Sequence, residues 1–152
     1  MVLPPNLGPR LAARALIVES DRLLLVNAYP GGHSDLWCAP GGGVERHSPI
    51  PDNLVREIHE ELGVTIAVGP MVAINEYHSR EKDFHQVELF FRATIVEGSI
   101  DQGWRDPSGV VSTRRYFAPE DAGEIRFKPD SLFDFAFGTG DVSYDALEPL
   151  VR

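Results

Sequence analysis

Apolar and polar positions follow two rhythms along this chain, and the rhythms predict its elements. Residues 13–20 (ARALIVES) and 23–29 (LLLVNAY) are near-continuous apolar runs, the signature of strands covered on both faces. Residues 19–22 (ESDR) between them read as a tight turn. Residues 30–43 (PGGHSDLWCAPGGG) break the rhythm as a long glycine-rich loop. Trp37 within it is a packing anchor or a stacking surface for a base or sugar.

The period then changes from two to nearly four. Leu54, Ile58 and Leu62 form one apolar stripe of a helix. Ser48 is placed to cap it, Pro49 and Pro51 are tolerable only in its first turn, and Gly63 is the expected left-handed stop. Residues 64–68 and 71–78 read as strand material, 79–83 as a charged turn and 85–96 as a hairpin partner. A polar loop at 97–109 and a short strand at 113–117 follow. A helical turn begins near Pro119, and residues 129–137 read as a C-terminal helix with Phe133 and Phe137 on one face, for core or dimer contact. The tail from about 138 reads as loosely held. This order predicts an α/β fold, a mixed central sheet between helices in an α/β/α sandwich, as a single domain over 1–152.

Composition narrows the function. The chain has 152 residues, one core's worth. Its formal net charge of −9 argues against a nucleic-acid backbone as partner. It leaves room for a small phosphorylated ligand, because a bound divalent cation can reverse the local field. The apolar runs are too short to span a bilayer, and Glu19 and Asp21 interrupt the apolar N-terminal region, so neither a membrane span nor a signal peptide is expected. Cys38 is the only cysteine; with no disulfide possible within the chain, a cytoplasmic setting is the expectation.

The helix carries an unusual group. Glu57, Glu60 and Glu61 stand at spacings of three and four, with Arg56 beside them. Like charges so placed repel by roughly 0.2–0.5 kcal/mol per pair. At about 100° per residue they fall within one arc bordering the apolar stripe. A solvated acidic face is the plain reading of such a cluster. A hard cation held among oxygen ligands is the functional one, because Mg²⁺ shares its octahedron among carboxylates, water and phosphate. The triple glycine at 41–43, where backbone can come close to an ion or ligand, favours the second.

Together these residues resemble the Nudix hydrolase family, whose box reads G-x5-E-x7-R-E-U-x-E-E-x-G-U, with U aliphatic. Arg56-Glu57-Ile58-His59-Glu60-Glu61-Leu62-Gly63-Val64 fits its second half, which places the first glycine at Gly42. Residues 36–42 (LWCAPGG) resemble the approach to the box. One position departs: Ser48 stands where the first box glutamate belongs. In the family that glutamate buttresses the box through the arginine, and Glu45 is the candidate substitute. The resemblance implies a pyrophosphohydrolase. Glu57 would be a metal ligand or the base for the attacking water, and Glu60, Glu61 and the Gly41 carbonyl would ligate Mg²⁺ or Mn²⁺. Arg56 would support the catalytic group. The substrate would be a small nucleoside diphosphate derivative, and a homodimer is compatible with the fold.

Several residues stay unassigned. Glu88, Glu97, Asp101 and Asp106 are each candidates for an auxiliary carboxylate. His78 and His85 flank the charged turn, as a metal pair or as solvated side chains, and Arg114 and Arg115 read as surface charges or phosphate contacts. His59 occupies a variable box position and receives no role. The alternative function is a Nudix-fold nucleotide-binding or sensor module without turnover, which Ser48 keeps open.

Overall fold

The computed structural model describes residues 8–27, 34–111 and 113–151. The end of the second predicted strand (28–29) and the start of the glycine-rich loop (30–33) lie outside the described residues. The apolar runs form β1 (Arg10–Glu19) and β2 (Arg22–Asn27). Ser20 and Asp21 join them, both at positive φ, a two-residue connection whose twist matches that of the strands. β3 (Leu36–Trp37) and β4 (Gly41–Gly43) arise inside the stretch expected to be loop. Strands of two and three residues have no periodicity to read.

The period-four stripe is α1 (Ile50–Leu62), closed by Gly63 at φ 72°, whose N–H donates to His59 O. The cap, however, is Pro49, and Ser48 makes no capping hydrogen bond. Pro51 at the second helical position has no N–H, so an expected acceptor role for Ser48 loses one of its targets. After the helix come β5 (Thr65–Ser79) and β6 (Phe84–Glu97). The two strands expected at 64–68 and 71–78 are one strand, whose register on β6 shifts between Val68 and Met71 and again before Ala73. Gly69 and Pro70 sit in that irregularity, where a residue without an N–H is tolerated. β7 (Thr113–Phe117), a 3-10 helix (Pro119–Glu124), β8 (Arg126–Phe127) and α2 (Leu132–Phe137) complete the body. α2 is shorter than the 129–137 expected, because the chain first turns through Pro129, whose carbonyl accepts from Leu132 N.

The tail expected to be loose is instead paired. β9 (Ser143–Tyr144) and β10 (Glu148–Pro149) lie parallel to β5. They cover an edge that would otherwise expose a row of unpaired backbone groups. The main sheet runs β10-β5-β6-β1-β2-β7, with β4 added on β1 and β9 on β5. It is mixed: β1 and β6 are parallel, whereas β5–β6, β1–β2 and β2–β7 are antiparallel. β1 changes partner along one edge, pairing β4 at residues 12–14 and β2 at 18–19.

Both sheet faces are covered. On one, Leu54, Ile58 and Leu62 of α1 pack on Ala13, Ala15, Ile17, Leu24 and Val26. On the other, Leu132, Phe133, Phe135 and Ala136 of α2 pack on Leu16, Leu23, Leu25 and Phe90. Phe133 and Phe137 stack within that second layer, so their face belongs to the core. The Arg92 guanidinium on β6 donates to the carbonyls of Phe135, Ala136 and Gly138 and ties down the end of α2. Burying each of Leu54, Ile58 and Leu62 is worth ~1.5–3 kcal/mol. That exceeds the repulsion of a few like-charge pairs on the same helix, so α1 stays docked with its glutamates in place. Among the described residues no helix is long and apolar enough to cross a membrane.

Candidate active site

The site begins at β4. Gly41 sits at φ 146°, and a Cβ there would lie 2.0 Å from Ala13 O, so only glycine lets this strand pair so closely with β1. α1 then lays two carboxylates along it. Gly41 N donates to Glu61 Oε2 at 3.1 Å. Glu57 lies over the next residue, where a Cβ on Gly42 would stand 2.9 Å from Glu57 Oε2.

The three glutamates differ in setting. Glu61 is buried, and burial pushes its carboxyl up to about 8 against the opposing effects of Arg14 and the Gly41 N–H. Glu57 is also raised, by burial first and by Glu60, with Arg56 opposing. Glu60 is the most exposed of the three and bonds Arg56 at 3.0 Å. Arg56 is the hub of the outer part. It also reaches Glu57 and Glu45 at 3.3 Å and Asn53 Oδ1 at 3.1 Å. The structure thus gathers Arg56, Glu57 and Glu60 into one network and turns Glu61 inward. Among the described residues no three acidic, histidine or cysteine side chains form a ready-made metal cage.

Near the departure at Ser48, the expected substitute is in contact: Glu45 pairs with Arg56 from the loop. Asn53, absent from the sequence reading, is 1 % exposed and holds the same loop. Its Oδ1 accepts from Glu45 N at 3.1 Å and its Nδ2 donates to Gly43 O at 3.0 Å. Trp104, from the polar loop, donates to Glu60 O at 2.9 Å and packs on Gly63. Arg114 was expected at the surface, yet it is buried. Its guanidinium donates to Glu61 O at 2.9 Å and Trp104 O at 3.1 Å, satisfying a carbonyl at the end of α1 and joining it to the loop that carries Trp104. Arg115 is exposed and lies over Phe117.

The other candidates separate clearly. Glu97 and Asp101 are exposed. Asp106 organises its own loop through Ser108 and Val111, and those hydrogen bonds hold it below its usual range. Glu88 is buried behind the glycine strand, paired with Arg14 at 2.7 Å. Arg14 also donates to the carbonyls of Ala39 and Gly41, at 3.3 Å each. The visible signal for Arg14 was a lone charge inside an apolar strand run. His78 and His85 face each other across the hairpin with their rings tilted by 55°, and His85 lies near Glu76. His59 is exposed and packs against the Trp104 ring. Trp37 packs edge-on against Phe117 as an anchor. The Cys38 thiol is free and pushed up to about 11, chiefly by burial, which makes it a weak nucleophile.

A mixed-sheet α/β/α sandwich with helix-borne carboxylates laid on a glycine strand defines a Nudix-type domain. The NUDIX domain family model matches residues 8–135, and the chain belongs to that family. It is 33 % identical over 109 residues to diphosphoinositol polyphosphate phosphohydrolase 2 of Mus musculus, covering 70 % of this chain and 55 % of the relative. The chain therefore spans about half the length of the curated relatives it matches. Solved structures share the fold. A UDP-X diphosphatase aligns at 20 % identity with a TM-score of 0.69, over 91 % of this chain and 68 % of its own. An ADP-ribose pyrophosphatase from Streptococcus suis aligns at 21 % with a TM-score of 0.67, over 91 % and 100 %.

Proposed function

We propose that this chain is a divalent-cation-dependent hydrolase, using Mg²⁺ or Mn²⁺ to cleave the diphosphate bond of a nucleoside diphosphate linked to a group X. The observation that carries the reading is Glu61. It is a buried carboxylate against the glycine strand, with no arginine, lysine or histidine in ion-pair contact among the described residues. Ionising a carboxyl this deep with no cationic partner is costly, and a cation at this point would offset it. The donor set fits a hard cation: Glu57, Glu60 and Glu61 offer carboxylate oxygens, and Gly41 a carbonyl. Mg²⁺ needs no closed protein cage, since it keeps several waters.

When bound, the cation supplies neutralisation of the diphosphate oxygens and an acidified water. The chain's own residues do the rest in this reading. Gly41 and Glu61 fix the inner ligands through their mutual hydrogen bond. Glu57, its proton affinity raised, is suited to take a proton from the attacking water. Arg56 keeps Glu57 and Glu60 from swinging into solvent. The free Cys38 is consistent with a cytoplasmic setting.

A second substrate reading has its own observation. An open pocket lined by Arg10, His78, Arg80 and His85 gathers basic groups around one carboxylate, Asp83, on an otherwise acidic chain. A diphosphoinositol polyphosphate, named for the relatives above, would match such a surface. The deciding experiment is product release from a panel of UDP-sugars, ADP-ribose, dinucleoside polyphosphates and a diphosphoinositol polyphosphate, with Mg²⁺ or Mn²⁺, beside Glu61→Gln. Metal-dependent turnover that the Glu61→Gln variant loses is the expected result. A blank panel with nucleotides still raising the melting temperature would move the reading to a non-hydrolytic binding module.

A further inference from the structure

The Gly41 carbonyl, offered above to the cation, is not held by the sheet ladder. Ala15 N donates to Pro40 O at 2.8 Å and Val44 N donates to Leu11 O at 2.8 Å, in the register that sets Arg14 opposite Gly41. Ladder bonds in an antiparallel pair fall on alternate residues. Residues 40, 42 and 44 are therefore the bonded positions, and Gly41 and Gly43 turn their N–H and C=O away from β1. Side chains take up the groups so released. Gly43 O accepts from Asn53 Nδ2, and Gly41 N donates to Glu61 Oε2. The Gly41 carbonyl is left to Arg14, whose Nη1 is shared between Ala39 O and Gly41 O at 3.3 Å each.

These contacts matter more at a glycine than elsewhere, because its backbone is the freest of any residue. The Glu61 contact restrains the peptide group before Gly41, and the Arg14 contact restrains the one after it. A carbonyl oxygen carries two lone pairs, so one directed at Arg14 leaves the other for a cation. A guanidinium so close would by itself repel that cation, and Glu88 balances it. The Glu88 side chain is only 7 % exposed, and its Oε2 accepts from Arg14 Nε at 2.7 Å. Asn75 Nδ2 donates to Glu88 Oε1 at 3.2 Å and Gln86 Nε2 to Oε2 at 3.3 Å. Both carboxylate oxygens are thus engaged by the protein itself.

We propose that Arg14 is a positioning residue for the cation site: it fixes the orientation of the Gly41 carbonyl, and Glu88 is its counter-charge and not an auxiliary ligand. The proposal rests on the cation-dependent reading above and names what orients the backbone ligand in it.

Arg14→Lys separates the charge from the fork. A lysine keeps a cation beside Glu88, but its single nitrogen cannot span Glu88 and two carbonyls as a guanidinium does. The experiment titrates Mg²⁺ alone into chain carrying isotope-labelled glycine carbonyls. It follows the Gly41 carbonyl signal by NMR and, in parallel, the melting temperature. In the native chain Mg²⁺ is expected to move that signal. In Arg14→Lys the midpoint of the movement is expected at about tenfold higher Mg²⁺, the loss of about one hydrogen bond. A merely structural role for Arg14 would lower the melting temperature of the metal-free chain and leave that midpoint in place. If Arg14→Lys does not fold, Arg14→Met combined with Glu88→Gln removes both buried charges together and is expected to show the same tenfold change. An unchanged midpoint in the folded variant would overturn the proposal and leave the hydrolase reading standing. So would a native chain that Mg²⁺ stabilises without moving the Gly41 signal. A native chain that responds to Mg²⁺ in neither signal nor melting temperature would overturn both.

Discussion

At the residue scale, Asn53 carries more than its place in the sequence suggested. Two backbone groups of the loop ahead of α1 depend on its side chain. Asn53→Ala leaves both without a partner, so we expect a loss of ~1–3 kcal/mol, read from the urea midpoint. Glu45 presents the opposite case. Its contact with Arg56 is exposed, with 69 % of the Glu45 side chain accessible, and such pairs are worth ~0–1 kcal/mol. Glu45→Ala should therefore lower turnover by no more than about fivefold, and Arg56→Ala by clearly more, because it releases Glu57 and Glu60 together. A silent Glu45→Ala in steady-state assays would leave Asn53 as the replacement for the box glutamate. Cys38 gives the pH test. With its thiol pushed up to about 11, only about 1 % is thiolate at pH 9. Its alkylation should keep rising about tenfold per pH unit past pH 9, where an ordinary thiol has already levelled off. The glutamates were legible because they share one helix and one register. Arg14 was not, because its partner Glu88 lies 74 residues away, nor was Asn53, because no periodicity marks the loop it holds at Gly43.

At the element scale, α1 was legible almost to its ends, since three apolar residues at period four, two prolines and one glycine agreed on it. Its locks were not legible. Gly63 was expected for its left-handed turn alone, but a Cβ there would also stand 2.5 Å from the Trp104 ring. Gly63→Ala should then cost more than the ~1–2 kcal/mol of left-handed strain, measured as a melting-temperature drop. Trp104→Ala in the same chain should return part of it. β4, β9 and β10 escaped the sequence for a common reason: strands of two or three residues are defined by the edge they join, and no pattern inside them records that edge.

At the scale of the whole molecule, the proposed cation site would tie the stability of the fold to its metal. A cation that binds only the folded chain stabilises it by ~2.7 kcal/mol at a hundred times its dissociation constant. Millimolar Mg²⁺ is accordingly expected to raise the melting temperature of the native chain and not of Glu61→Gln; equal shifts in both would count against Glu61 as a ligand. The sheet has a further consequence, one that concerns time. Its hairpin β5–β6 closes over the short turn at 80–83, whereas β1 reaches β6 across half of the chain, Arg10 opposite Gln86. Closing the longer loop has the larger entropic cost. In pulse-labelling hydrogen exchange, amides of β5 and β6 should gain protection before those of β1 and β4. The newly made chain would then possess half of its sheet before the glycine strand gives the proposed cation anywhere to sit.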